Sequence, residues 1–135
     1  MTSENEYGQG DGTFIAAGKE EGIRRIVDVF YKNMETNPEY RHIWDWHPND
    51  QEVTRDKLAL FLFGWMGGPR QFQDKYGSIS IPQVHAHLSI KEEERDMWLN
   101  CMRESLESLD YPDDFIEYLM KQFFFPAETI RRTCS

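Results

Sequence analysis

His85 stands in an irregular stretch just before a long helical pattern, and Tyr31, His47 and Trp98 lie on or beside three other apolar faces. Each joins a hydrogen-bonding head to a large apolar body, a set that suits a mostly apolar cavity around one polar reaction centre. A neutral imidazole can offer a ring nitrogen to a metal, a phenol can donate or accept a hydrogen bond, and an indole N–H can only donate. Other chemistries find no support in the spacing. The sequence has no phosphate-binding glycine loop, no nucleophile elbow and no His-Glu-x-x-His pair, so hydrolase and kinase readings fall away. By residue type alone, a single histidine is more often structural than a ligand, and Tyr31 and Trp98 are equally at home in a packed core.

Hydrophobic spacing gives the elements that must position these groups. Ile23, Ile26, Val27, Phe30 and Met34 recur at steps of 3, 1, 3 and 4, which places them on one stripe of a helix over residues 20 to 36. Asn37-Pro38 ends that helix and opens a short helical turn through Tyr40, Ile43 and Trp44, followed by a corner at Trp46-His47-Pro48. Asn49 or Asp50 can cap a third helix whose Val53, Leu58, Phe61, Leu62 and Trp65 are expected to face inward before Gly67-Gly68-Pro69 stops it. Residues 70 to 89, with Gly77 and Pro82, read as mostly loop with short helical pieces. Lys91 and three glutamates then open a helix carrying Met97, Trp98, Cys101, Met102, Leu106 and Leu109. Tyr111-Pro112 interrupts it, and Asp113-Asp114 precede the last stripe, Phe115, Ile116, Leu119, Met120, Phe123 and Phe124. No sustained two-residue alternation appears, so the expected fold class is all-α.

With 135 residues and 16.1 kDa, the chain suits one domain, expected over residues 13–126 between a flexible N-terminal leader (1–12) and a C-terminal tail (127–135). Nineteen aromatic residues (9 Phe, 6 Tyr, 4 Trp) supply ample surface to bury and exclude wholesale disorder. Twenty-four acidic residues against 15 basic ones give a formal charge of -9, which repels phosphate backbones and anionic lipid. Nucleic acid and membrane are therefore not expected partners, and with no long apolar run the expected location is cytoplasmic. The two cysteines, Cys101 and Cys134, offer no disulfide framework.

An all-α domain rich in aromatics with one well-placed histidine can house haem, because imidazole supplies an axial nitrogen while helices wall off the porphyrin. The order of residues then becomes recognisable. Phe30-Tyr31, Met34, Pro38-Glu39-Tyr40, His47-Pro48, Lys57-Leu58, Phe61-Leu62, Gly64-Trp65, Gly67-Gly68-Pro69, Lys75-Tyr76-Gly77, His85, Ile90, Glu94-Arg95-Asp96, Trp98-Leu99 and Cys101-Met102 follow one another along the chain. In that order they resemble the group II truncated haemoglobins, from about Phe14 to Phe125.

The resemblance implies a two-over-two (2-on-2) helical sandwich around haem b, with an extended loop in place of most of the proximal helix. It places His85 as the proximal ligand to iron, with His87, two residues on, as the less favoured imidazole. Tyr31 matches the distal tyrosine, Trp98 the tryptophan of groups II and III, and His47 the corner position that can donate to a ligand or to Tyr31. Thr54 falls at the distal gate, Leu58 at the apolar lid, and Phe61 at the haem edge. Implied ligands are O2, NO, CO or peroxide, with a role in oxygen binding or in detoxification of NO or reactive oxygen. NO dioxygenase or peroxidase-like turnover would draw on an unidentified reductase.

The chain also departs from the family pattern. Ile81-Pro82-Gln83-Val84 replaces the basic residues that commonly precede the proximal histidine, which leaves Lys57, with Tyr76, to hold the propionates. Gly18-Lys19 stands where the family has a glycine pair, which puts the usual link between the first two helices in question. His87 and Ser89 replace the usual proline and phenylalanine. Two rivals follow: a haem-free helical regulatory or interaction domain of globin fold, and a small zinc protein using His47, His85 and His87.

Overall fold

The stripe read between Ile23 and Met34 forms a continuous helix, and it buries almost completely. In a computed structural model, which describes residues 11–45, 51–69, 71–76 and 90–134, helix α1 spans Gly12–Ala16 and α2 spans Lys19–Thr36. Ile23, Ile26, Val27, Phe30 and Met34 are all at most 1% exposed, as a shared 100° period requires. A 3-10 turn (Pro38–Tyr40) and α3 (Arg41–Trp44) follow, the turn opened by Asn37, whose side chain accepts from the Glu39 N–H at 3.0 Å. Then come α4 (Gln51–Trp65), α5 (Gln71–Tyr76), α6 (Glu92–Ser108) and α7 (Asp113–Cys134). Every regular element among the described residues is helical, and none is long and apolar enough to cross a membrane.

The chain divides into two compact units, Met1–Val29 with Pro48–Ser78, and Phe30–His47 with Ile79–Ser135. In the first, Phe14, Ala17, Ile23, Leu60, Leu62, Phe63, Met66 and Phe72 are buried, and α4 packs on α5. In the second, α6 packs on α7, on α3 and on the 3-10 turn around Met34, Tyr40, Ile43, Met102, Leu106, Phe115 and Leu119.

Three departures from the sequence expectations have physical causes. On α4, Leu62 buries as expected, but Val53 is 39% exposed and Leu58, Phe61 and Trp65 are only half covered; Ala59, Leu60, Phe63 and Met66 bury instead. At the link between α1 and α2, Lys19 itself adopts the left-handed conformation (φ 62) after Gly18 (φ 98). That geometry costs a side-chain-bearing residue roughly 1 kcal/mol. Finally, residues 127 to 134, set apart in the sequence as a tail, continue α7. Pro126 cannot donate to the Gln122 carbonyl, but Glu128 collects Arg95, Arg131 and Arg132 just beyond it.

Gly67-Gly68-Pro69 ends α4 through two separate demands. Gly67 takes φ 93, and its N–H reaches the Gly64 carbonyl at 3.1 Å. Gly68 lies so close to the Phe14 ring that a Cβ would overlap it, and the Phe14 N–H donates to the Met66 carbonyl at 3.0 Å. Gly68→Ala is therefore expected to lower stability by about 1–3 kcal/mol, read as a shifted denaturation midpoint with an unchanged m value.

Candidate functional site

Tyr31 sits in the second half of α2 and is 6% exposed. The turn that carries it is pinned to α6 by hydrogen bonds rather than by packing alone. The Cys101 thiol donates to the Phe30 carbonyl at 3.4 Å, and Asn33 Nδ2 donates to Ser105 Oγ at 3.1 Å. Ser105 Oγ in turn donates to the Cys101 carbonyl at 2.8 Å. Burial pushes the Cys101 thiol up to about 12, so it stays a protonated donor.

The Phe30 ring joins the two expected distal donors. Its centroid lies 5.1 Å from Tyr31 and 5.1 Å from Trp98, edge to face in both cases, and Phe123 backs Trp98 at 5.4 Å. Trp98 is half-buried on α6, whose start is fixed by Glu94: its carboxylate accepts from the Lys91 N–H at 2.8 Å, and His42 Nε2 lies 3.4 Å from its other oxygen. One residue on, Arg95 pairs with Glu128 at 2.9 Å. Hydrogen bonds from Arg131 first, then Arg95 and Arg132, hold the Glu128 carboxyl well below the usual carboxylate range. Tyr31 and Trp98 are thus brought together on one buried ring.

The remaining described candidates belong to the other unit. Thr54, Leu58, Phe61 and Trp65 follow one another at steps of 4, 3 and 4, and form a half-covered stripe on α4. At 100° per residue this stripe lies about 120° around the helix from Ala59, Leu62, Phe63 and Met66. Both faces are apolar, so periodicity alone could not say which one the chain buries. A largely apolar strip left half covered, beside a lysine, is complementary in chemistry to an apolar ligand edge that carries carboxylates. Lys57 is that lysine, and its Nζ lies 5.3 Å over the Tyr76 ring. His47, His85 and His87 lie outside the described residues, as do the zinc reading and the loop between residues 77 and 89.

Sequence reasoning missed Asp56. Its Oδ2 accepts from Lys75 Nζ and from the Tyr76 hydroxyl, each at 2.7 Å, and its Oδ1 from Arg24 at 3.1 Å. The partners lie 19, 20 and 32 positions away, so no local pattern could mark it. Lys75 and then Tyr76 hold its carboxyl down at about 2 from the ordinary 3.8. A carboxyl lowered in the folded state contributes stability that is complete above its unfolded value and is lost as pH falls through the folded one. Asp56→Asn is therefore expected to destabilise the chain at about pH 5, with the gap from wild type closing toward about pH 2, as read from urea midpoints across that range.

Comparison with known proteins gives the family and the fold. The profile of the family described as bacterial-like globin matches residues 13–132. The group 2 truncated hemoglobin YjbI of Bacillus subtilis is 28% identical over 100 residues, 74% of either chain. The group II 2-on-2 hemoglobin of Agrobacterium tumefaciens superposes with a TM-score of 0.83 at 26% identity, covering 97% of this chain and 98% of its own. The hemoglobin of Chloroflexus aurantiacus gives a TM-score of 0.76 at 31% identity, covering 87% of this chain and 95% of its own. With an all-α 2-on-2 fold and a family match across nearly its whole length, the chain belongs to the bacterial-like globins, among the group II truncated haemoglobins.

Proposed function

We propose that the chain holds haem b through His85 and uses it to bind O2 and other diatomic ligands, with Tyr31 and Trp98 as distal hydrogen-bond donors. The family implies haem-based ligand binding. The observation that carries the finer reading is the packing of a buried phenol and an indole against the single ring of Phe30. When bound, haem supplies an iron centre open to a small ligand and to one-electron redox chemistry.

The chain's own residues set what that centre can do. The imidazole of His85, when neutral, would offer a ring nitrogen to the iron. Tyr31 and Trp98 donate to a ligand that carries partial negative charge, and a charge-assisted bond of this kind is worth roughly 1.5–3 kcal/mol. His47 would add a third donor. Thr54, Leu58 and Phe61 offer an apolar wall with a small residue at the gate, and the Lys57 ammonium offers a partner for a propionate. Several donors favour slow release, which suits scavenging, sensing or detoxification better than bulk transport. Turnover of NO or peroxide would need electrons from a separate reductase.

Absorption spectra of the ferric, ferrous and CO-bound forms test the reading, and a chain that shows no Soret band after haem reconstitution is the haem-free interaction domain instead. Metal analysis that finds stoichiometric zinc and no iron supports the zinc reading. His85→Ala is expected to abolish tight haem retention while His87→Ala retains it, and the reverse would place the ligand two residues on. Tyr31→Phe is expected to speed O2 dissociation roughly ten- to a hundredfold in stopped-flow measurement.

A further inference from the structure

Lys57 stands apart from the other cations around Asp56. Arg24 and Lys75 both spend their charge on the Asp56 carboxylate, at 3.1 Å and 2.7 Å. Lys57 has no carboxylate partner among the described residues, and its ammonium rests instead 5.3 Å over the Tyr76 ring. The Lys75 ammonium lies 5.5 Å from the same ring. That ring is in turn fixed at its far end, because the phenol has one hydrogen and donates it to Asp56 at 2.7 Å. While that bond stands, Tyr76 has no hydrogen left to donate to a carboxylate. Tyr76 also packs against Phe72, with ring centroids 5.3 Å apart, so the ring is held at both face and tip.

We propose that Asp56 is a positioning residue for haem retention: by taking the Tyr76 hydrogen it fixes the phenol as a seat on which the Lys57 ammonium is aimed at a haem propionate. This rests on the haem reading given above. It changes the part Tyr76 plays, from direct propionate contact to support for Lys57. Arg24 and Lys75 hold the carboxylate in place and neutralise it, so Asp56 does not itself draw Lys57 away from the seat. Burial is not the source of the effect, since Lys57 is exposed; the seat works by limiting where a long, flexible side chain carries its charge.

Haem transfer from the loaded protein to excess apomyoglobin tests the inference. Lys57→Met and Tyr76→Leu are each expected to speed haem loss about fivefold, and the double variant no further than either alone. Tyr76→Phe keeps the ring but frees its tip, as Asp56→Asn weakens the same anchor, and both are expected to give a smaller rise. With haem dimethyl ester, which carries no propionate charge, all five proteins and the wild type are expected to lose cofactor at one rate. A phenol titration supplies a second readout in the ligand-free chain. The Asp56 carboxylate holds the Tyr76 phenol above its ordinary value of 10.0, so the wild-type minus Tyr76→Phe ultraviolet difference should titrate late, and earlier once Asp56→Asn is introduced. A wild-type chain that retains haem at a rate unchanged by Tyr76→Leu overturns this inference alone. So do Lys57 and Tyr76 effects that multiply independently or persist with the ester. A wild-type chain that takes up no haem overturns this inference together with the haem reading.

Discussion

The placement of Tyr31 and Trp98, the donors proposed above, depends on one constraint: the hydrogen bonding between α6 and the second half of α2. Cys101 reaches the Phe30 carbonyl, and Asn33 reaches Ser105, which turns back on the Cys101 carbonyl. The Asn33 and Ser105 bonds are each worth about 1 kcal/mol net and the thiol's less, but a buried partner left unsatisfied would cost more, and that asymmetry makes the register between the helices specific. Tyr31 and Trp98 inherit their spacing from that register, with Phe30 as the gauge between them.

The start of α6 solves a related problem by electrostatics. Glu94 satisfies the free N–H of Lys91 and brings negative charge to the positive end of the helix. Arg95, next in sequence, ties the same turn to Glu128 beyond Pro126, so the part of α7 that follows the proline is fastened to the helix carrying Trp98. Position along α6 is thereby set from both its inner face and its first turn.

Legibility in the sequence followed the locality of the forces. The α2 stripe was readable because one face alone is apolar, and the breaks at Asn37-Pro38, Gly67-Gly68-Pro69 and Tyr111-Pro112 were readable because backbone chemistry acts where it stands. α4 was harder, since Leu58, Phe61 and Trp65 on one face match Leu62, Phe63 and Met66 on the other in hydropathy, and only the packing decides. Lys19 in a left-handed conformation runs against its residue type, so it could not be read from the sequence. Asp56 was invisible because its meaning lies in partners far along the chain, and the Phe30 contacts of Tyr31 and Trp98 depend on tertiary structure in the same way. The resemblance named His47, His85 and His87 from order alone, and these lie outside the described residues.

The buried thiol at Cys101 has a chemical consequence of its own. Nitrosation and sulfenic acid formation both proceed through the thiolate, and a sulfur whose proton is locked to a main-chain oxygen in an apolar setting offers almost none at neutral pH. One helical turn from Trp98, a side chain that ordinarily would be consumed by oxidants is kept as a durable structural pin.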